Sequence, residues 1–387
     1  MRILLVSAKK SQSSFNQLFE TSFGSNDGLY TIDEYPKYFH DIFGRIREGL
    51  KQHANDFSKT FDTCIDVDFT RNLSFNAAAT QDPQTKVFLI GINHSVVHRL
   101  QALTHTIFAR TPIFPEFGPY NGNGQINLDT FMKGNLAEVF IEQEPPYNNR
   151  RLAGANLLFS LGVEYIYLHE LAHIMKGHIG RIFSQTEQIS MLGQIEQKNI
   201  ENITGEELQA MEIDADGNAA LWCLNFYSQR TSPVLWRNFW EPPAANLDKK
   251  FLAKCFLFIS GLLIHLFPHE RDVVESLPED TYPHPEIRLN HIYSTLLNTL
   301  GEPDVLGTPE PAWVVEALEA LVPILQKSGK GFLPATKKST PDQRHRPNIN
   351  TLNKIKEKMR KSRSKWQKFA QVPHVIDGIV KPESEFQ

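Results

Sequence analysis

The chain has few cysteines, no long apolar run and no internal repeat. Its three cysteines are spread over 387 residues, too few for a disulfide framework or a cysteine-rich zinc site. This scarcity is typical of a reducing compartment, and we predict a cytoplasmic protein. The most apolar stretch, 255–267, is 13 residues long and contains Ser260 and His265. Because a membrane-spanning helix needs about 20 apolar residues, we predict no transmembrane segment.

The composition is that of a globular protein, but the charge is unevenly distributed. Hydrophobic residues make up 41% and charged residues 22% of the chain, which excludes wholesale disorder. The net charge is -4, yet the segment from Gln326 to the end carries 15 Lys/Arg against 5 Asp/Glu. An acidic body with a basic tail indicates that the tail has its own partner or docks onto the body.

The motif that carries chemistry is an HExxH sequence at 169–173, inside an apolar helix predicted over 157–175. At about 100° per residue, His169 and His173 lie one turn apart on the same helix face, so both can reach one metal ion. Neutral imidazoles suit zinc, and Glu170 is placed to take a proton from a zinc-bound water. The alternative interpretation is a buried helix whose two histidines are satisfied by ordinary hydrogen bonds.

A third ligand decides the class of such a site. Metzincins use a histidine six residues after the second one, and that position is Ile179 here. Glu212 and Asp216 lie four residues apart, hence on one face of a helix predicted over 204–227. We predict that Glu212 completes a three-ligand site and that Asp216 accepts the free N–H of a ligand histidine. Alternatively this pair forms a solvated acidic face, while His178 lies behind the ligands or at the surface.

Four segments resemble a known family. HELAHIMKGH at 169–178 followed by EIDAD at 212–216 resembles the gluzincin metallopeptidases of the HtpX and CAAX-prenyl-protease type, whose signature is HExxH followed by ExxxD on a second helix. Segment 76–79 resembles their Asn-Ala-x-Ala segment, and 282–289 resembles their Thr-His-Pro…Arg segment, with Pro283 replacing the Thr. The family's typical spanning helices are missing, so a branch similar to the phage-exclusion Lit-type peptidases fits better.

The resemblance implies a role for each matched residue. His169, His173 and Glu212 would bind one Zn²⁺ ion. Glu170 would be the catalytic base, and Asp216 would orient a ligand histidine. His284 and Arg288 would lie beside the cleft, where they would orient the site or stabilise the oxyanion.

A strand predicted over 87–92 also acquires a role from the resemblance. As an exposed edge it would hold an extended peptide by backbone hydrogen bonds over the metal. The substrate-binding residues would then be Val87, Phe88, Leu89 and Ile90. The apolar run fits an interior strand equally well.

We predict an α+β fold that is predominantly helical and zincin-like, with a small β-sheet. An N-terminal mixed region, 1–60, precedes a metallopeptidase domain over 61–326. That domain contains a loop-rich insertion at 111–155. A linker over 327–350 leads to a basic amphipathic helix and tail, 351–387.

The basic helix allows two interpretations. Residues 351–370 hold eight Lys/Arg and one acidic residue, Glu357. Apolar residues recur at helical spacing, namely Leu352, Ile355, Met359, Trp366 and Phe369. The pattern fits binding to an acidic partner or surface, or a helix that lays its apolar stripe on the acidic body. We see no clear nucleic-acid-binding fold.

The sequence therefore predicts a zinc-dependent metalloendopeptidase with a protein or peptide substrate. One alternative is a catalytically weak zinc-binding regulatory or sensor module that acts through protein partners, although the intact Glu170 argues against it. Another is a defence protease with one dedicated substrate, which would look inert on generic casein.

Overall fold

The computed structural model describes residues 29, 40–73, 76–82, 85–120, 122, 126–133, 135–184, 203–228, 248–266, 283, 285–302, 310–327, 357, 360–361 and 363–370. His284 and residues 328–350 of the predicted linker 327–350 lie outside these residues. So do Leu352, Ile355 and Met359 of the basic helix.

Helices dominate the described residues, and three strands form one sheet. The helices are α1 (His40–Phe61), α2 (His94–Arg110), α3 (Leu128–Lys133), α4 (Leu136–Glu142), α5 (Asn149–Met175), α6 (His178–Phe183), α7 (Gly205–Ser228), α8 (Lys249–Leu266), α9 (Pro285–Leu300) and α10 (Ala312–Lys327). The strands are β1 (Ile65–Thr70), β2 (Ala77–Gln81) and β3 (Phe88–Asn93). Short 3-10 helices cover Pro115–Phe117 and Gln367–Phe369. The predicted, mainly helical α+β fold is confirmed.

The sheet has the order β1-β3-β2, with β1 parallel and β2 antiparallel to β3. The prediction of an exposed edge at 87–92 is therefore wrong. Ile90 pairs with Val67 on one side and with Ala79 on the other. All six residues of β3 are buried, which is the pattern of an interior strand. Among the described strands, the edge nearest the HExxH helix belongs to β2.

Helix α5 lies at the centre of the fold and carries the HExxH motif. It packs against α2 and α7, and it also contacts α8, β2 and β3. Apolar residues therefore occur all round it, as expected for a buried helix. It begins about two turns before the predicted start, because the side chain of Asn148 caps it by accepting a hydrogen bond from the Arg150 amide.

The insertion at 111–155 contains a 3-10 helix, α3, α4 and the first turns of α5 rather than loop alone. Arg151 fixes its first part to the core. The guanidinium of this buried residue donates to the carbonyls of Phe108 and Thr111, each at 2.7 Å, and to that of Gly118 at 3.0 Å. These contacts satisfy loop carbonyls that a buried turn would otherwise leave unpaired.

Two further boundaries follow from local chemistry. Helix α7 begins where the predicted cap places it, since the Glu207 amide donates to Thr204 Oγ1 at 3.2 Å. The predicted domain boundary at residue 60 falls in the last turn of α1, which packs against β1. Arg47 of α1 and Asp68 of β1 form two hydrogen bonds of 2.7 Å, so α1 and the sheet form one unit.

None of the described helices is both long enough and apolar enough to cross a membrane.

We expect His98 in α2 to make the protein sensitive to acid. Its side chain packs on the rings of Phe43 and Phe140, and the residue is 2% exposed. Burial, together with the nearby His94, lowers the pKa of His98 to about 3. The unfolded chain binds a proton below its ordinary pKa of about 6.5 while the folded protein does not, so the free energy of unfolding falls as the pH falls.

The variant His98→Gln should remove this contribution. Between about pH 7 and pH 4, its free energy of unfolding should fall by about 3 kcal/mol less than that of the unchanged protein. Urea unfolding at stepped pH measures both slopes, and comparing slopes cancels any packing cost of the substitution. Equal slopes would show that His98 is protonated in the folded protein.

Candidate metal centre

Helices α5 and α7 pack side by side and bring three predicted residues together. One potential ligand atom from each of His169, His173 and Glu212 lies within 4.8 Å of the others. The Nε2 atoms of the two histidines are 3.1 Å apart. The Glu212 carboxylate oxygens lie 3.5 Å from His169 Nε2 and 3.6 Å from His173 Nε2. All three residues are buried.

The donor set of this cluster fits a metal ion. The Nδ1 atom of His169 lies 3.0 Å from Asp216 Oδ1. Because an ionised carboxylate only accepts hydrogen bonds, the Nδ1 proton of His169 points to Asp216 and its Nε2 offers a lone pair. That lone pair faces the second imidazole and the carboxylate of Glu212, an arrangement that needs a positive charge among them. Two imidazoles and a carboxylate are ligands typical of Zn²⁺.

The electrostatics of the cluster also favour a positive charge. Burial lowers the pKa of His169, but its hydrogen bonds with Asp216 and Glu212 outweigh burial and raise that pKa to about 10. Burial raises the pKa of Glu212, but the hydrogen bond with His169 and the nearby charges of His173, His169 and Arg288 together outweigh burial and hold the pKa well below its usual value. Glu212 therefore stays ionised, and without an ion a second proton on His169 supplies the positive charge that a bound metal cation would replace.

Asp216 contacts His169 and is itself held in place by two other side chains. It is fully buried and accepts hydrogen bonds from Tyr165 at 2.6 Å and from Arg288 at 2.6 and 2.7 Å. Arg288 belongs to α9, so a third helix contributes to the centre. Of the two roles predicted for Arg288, these contacts favour orienting the site. Tyr165 escaped the sequence reasoning, although it lies one turn before His169 on the same face of α5.

Glu170 interacts with both the sheet and the residues of the candidate centre. Its carboxylate accepts a hydrogen bond from the backbone amide of Ala79 in β2, and Oε2 has no hydrogen-bond partner among the described residues. Burial raises the pKa of Glu170 to about 7, with His169 opposing the shift and Glu212 adding to it. A carboxylate whose pKa lies near the working pH is suited to exchange protons with a substrate.

The predicted substrate strand does not face this centre. Because Ala79 contacts Glu170 and pairs with Ile90, the set Val87, Phe88, Leu89 and Ile90 lies one strand farther away. The motif at 76–79, which the sequence reasoning placed before a strand, begins β2 itself. Short alanine-rich strands carry a weak strand signal, whereas the apolar β3 carries a strong one.

Two residues lie behind His173, and one of them, Asp214, was not assigned a role from sequence. His178 is fully buried, with Nδ1 3.0 Å from His173 Nδ1. Its Nε2 lies 3.4 Å from Oδ2 of Asp214. The structure therefore selects the first of the two predicted places for His178, behind the ligands.

Fold and site together define a mainly helical α+β protein with a candidate metal centre between two packed helices. Residues 139–305 match the family Peptidase U49. The matched range includes His169, Glu170, His173, Glu212 and Asp216. The match supports a peptidase, and it supports the predicted Lit-type likeness. The finer likeness to the HtpX and CAAX-prenyl-protease type stays a prediction.

Comparison with curated proteins and with solved structures gave no match in either case.

Proposed function

We propose that the protein is a zinc-dependent metalloendopeptidase that hydrolyses peptide bonds in a protein or peptide substrate. One observation carries the proposal. The ligand atoms of His169, His173 and Glu212 converge on one point, and the buried carboxylate of Glu170 interacts electrostatically with His169 and Glu212. This constellation lies within the segment that matches Peptidase U49.

The residues of the chain divide the work between holding an ion and moving a proton. His169 and His173 would hold the ion through their imidazoles, and Glu212 would hold it through its carboxylate. When bound, zinc lowers the pKa of a coordinated water to about 7 and polarises a substrate carbonyl. Glu170 accepts the proton of the attacking water and passes it to the nitrogen of the leaving amine. Asp216 would keep the His169 ring in the orientation that leaves Nε2 available to the ion.

We assign substrate binding to strand β2 instead of β3. Its Ala79 contacts Glu170, and among the described strands β2 pairs on one side only, with β3. An extended peptide that paired with the other side of β2 would run past Glu170 and the candidate ligands. Backbone pairing of this kind gives affinity with little dependence on side chains.

The proposal is tested by metal analysis and proteolysis on the same preparation. We expect about one zinc ion per chain, measured by plasma mass spectrometry. The substrate is a proteome-derived peptide library whose cleavage is read by mass spectrometry. Casein is not used, because a protease with one dedicated substrate would look inert on it. Cleavage should stop after treatment with 1,10-phenanthroline and return when Zn²⁺ is added back.

Two results would contradict the proposal. Cleavage that resists the chelator would remove the metal from the mechanism. Zinc binding without cleavage of any library peptide or native protein would favour the sensor interpretation instead.

A cytoplasmic location belongs to the same proposal, because Cys64, Cys223 and Cys255 are all free thiols.

A further inference from the structure

The C-terminal segment contacts the acidic body directly behind the candidate metal centre. We call its described residues 360–361 and 363–370 the C-terminal clamp. Trp366 is 1% exposed, and its ring stands perpendicular to that of His178 with the centroids 4.9 Å apart. Arg363 donates to Asp214 at 3.1 Å, and Lys365 donates to Glu207 at 2.8 Å. Of the two interpretations of the basic helix, this part therefore follows the one in which it docks onto the body.

The turn between α5 and α6 is shaped to receive this segment. Gly177 has a φ of 81°, and a Cβ atom there would lie 2.5 Å from the Trp366 carbonyl oxygen. A Cβ atom on Gly180 would lie 2.7 Å from Cβ of Phe369. Both positions therefore need glycine for the backbones to approach so closely. A contact this close indicates that the C-terminal clamp is packed as part of the fold.

The clamp reaches the metal centre through a chain of closely spaced polar groups. Asp214 Oδ2 lies 3.4 Å from His178 Nε2, and this negative charge favours the His178 tautomer that carries its proton on Nε2. His178 Nδ1 then offers a lone pair to the N–H of His173 Nδ1, 3.0 Å away. With its proton on Nδ1, His173 presents the lone pair of Nε2 to the ion. Arg363 fixes Asp214 at the far end of this chain.

Both candidate histidine ligands are thus oriented by carboxylates of α7, each backed by an arginine. Asp216 contacts His169 directly and is held by Arg288 from α9. Asp214 acts on His173 through His178 and is held by Arg363 from the clamp. Groups that fix the ring orientation and tautomer of a metal-binding histidine commonly change metal affinity by about 10–100-fold.

We propose that the C-terminal clamp is a positioning element of the metal centre. Arg363 and Trp366 act as positioning residues that hold Asp214 and His178, and these fix the tautomer and orientation of His173. The inference rests on the proposed function, because it takes the centre to bind a metal ion. The clamp approaches His173 from the side opposite Nε2, so it supports the centre without blocking it.

The experiment measures metal affinity in the full-length chain carrying Glu170→Gln, so that no readout depends on turnover. Zn²⁺ affinity is determined by competition with a chromogenic chelator, and the ligand field is read from the visible spectrum of the Co²⁺-loaded protein. Trp366→Ala should weaken Zn²⁺ binding by about 10–100-fold and alter the Co²⁺ spectrum. Arg363→Ala should weaken it by about tenfold, because His178 keeps its contact with Trp366. Trp366→Phe, which keeps a ring against His178, should restore most of the affinity.

Two control variants separate positioning from general stability. Lys361→Ala changes a clamp residue whose side chain is 70% exposed and pairs with Glu357 of the same segment, so affinity should not change. Val314→Ala removes buried methyl groups from α10, which packs mainly against α8. It should lower the melting temperature while leaving the Zn²⁺ affinity and the Co²⁺ spectrum as they were.

The outcomes distinguish this inference from the proposed function. Zn²⁺ affinities of Trp366→Ala and Arg363→Ala within twofold of the parent would overturn the clamp. If Trp366→Ala does not fold by circular dichroism, Arg363→Ala decides, since the Arg363 side chain is partly exposed. A wild-type protein that binds zinc but cleaves nothing would overturn the peptidase and leave the clamp standing. A wild-type protein that binds neither metal would overturn both.

Discussion

Glu170→Gln should lower peptidase turnover by about 10²–10⁴-fold, the contribution typical of a general base, and should leave the zinc content unchanged. Gln fills the same space beside Ala79 but cannot accept a proton at its side-chain nitrogen. The ligand atoms of His169, His173 and Glu212 are untouched by this change. The measurement pairs cleavage rates on the peptide library with zinc content of the same sample.

Glu164→Gln is the matched control for this substitution. It also removes a buried carboxylate from α5, about one and a half turns before Glu170 and next to Cys223 rather than the metal centre. We expect its turnover to stay close to that of the unchanged protein. Full cleavage by Glu170→Gln with zinc in place would remove Glu170 as the base and leave the proton transfer to another group.

The ligand constellation was predictable because it depends on local periodicity. Residues four apart on a helix share a face whatever the rest of the fold does, which places His169 with His173 and Glu212 with Asp216. The pairing of α5 with α7 was inferred because the metzincin position is Ile179 and a third ligand had to come from elsewhere, and the family resemblance then supported it. The structure places these side chains together as expected, and Asp216 meets His169 at Nδ1.

The parts that the sequence did not predict depend on packing between distant segments. Neither strand order nor the pairing of β2 with β3 is encoded in the apolar run at 87–92, which fits an edge and an interior strand equally. Asp214 lies two residues from both Glu212 and Asp216, hence on another face of α7, and no periodicity links it to His178. The contact of Trp366 with His178 joins residues far apart in the chain and leaves no pattern in either segment.

Helix α7 gains a double role from this arrangement. One face supplies Glu212 to the candidate centre and Asp216 to His169, and another face receives the clamp through Asp214. The acidic helix therefore binds a cation on one side and basic side chains on the other. The uneven charge of the sequence, an acidic body with a basic tail, is partly neutralised within the chain by these contacts.

Glu212→Ala should lower the zinc affinity by about 10²–10³-fold. Apparent zinc-binding free energies of about 10–16 kcal/mol are shared among three or four ligands, so one lost ligand corresponds to about 3–4 kcal/mol, and each 1.4 kcal/mol is tenfold. The substitution also removes the negative charge that faces both Nε2 atoms. Chelator competition on the purified variant measures the affinity, and peptidase activity should fall with zinc occupancy.

Glu206→Ala is the matched control, because it removes an exposed carboxylate from the first turn of the same helix. It changes the charge of α7 by the same amount, at a position away from the imidazoles. Excess Zn²⁺ should restore part of the occupancy of Glu212→Ala, since two histidines remain. If Glu212→Ala binds zinc as tightly as Glu206→Ala, the carboxylate is not a ligand. The two imidazoles would then lack the third protein ligand on which the peptidase proposal depends.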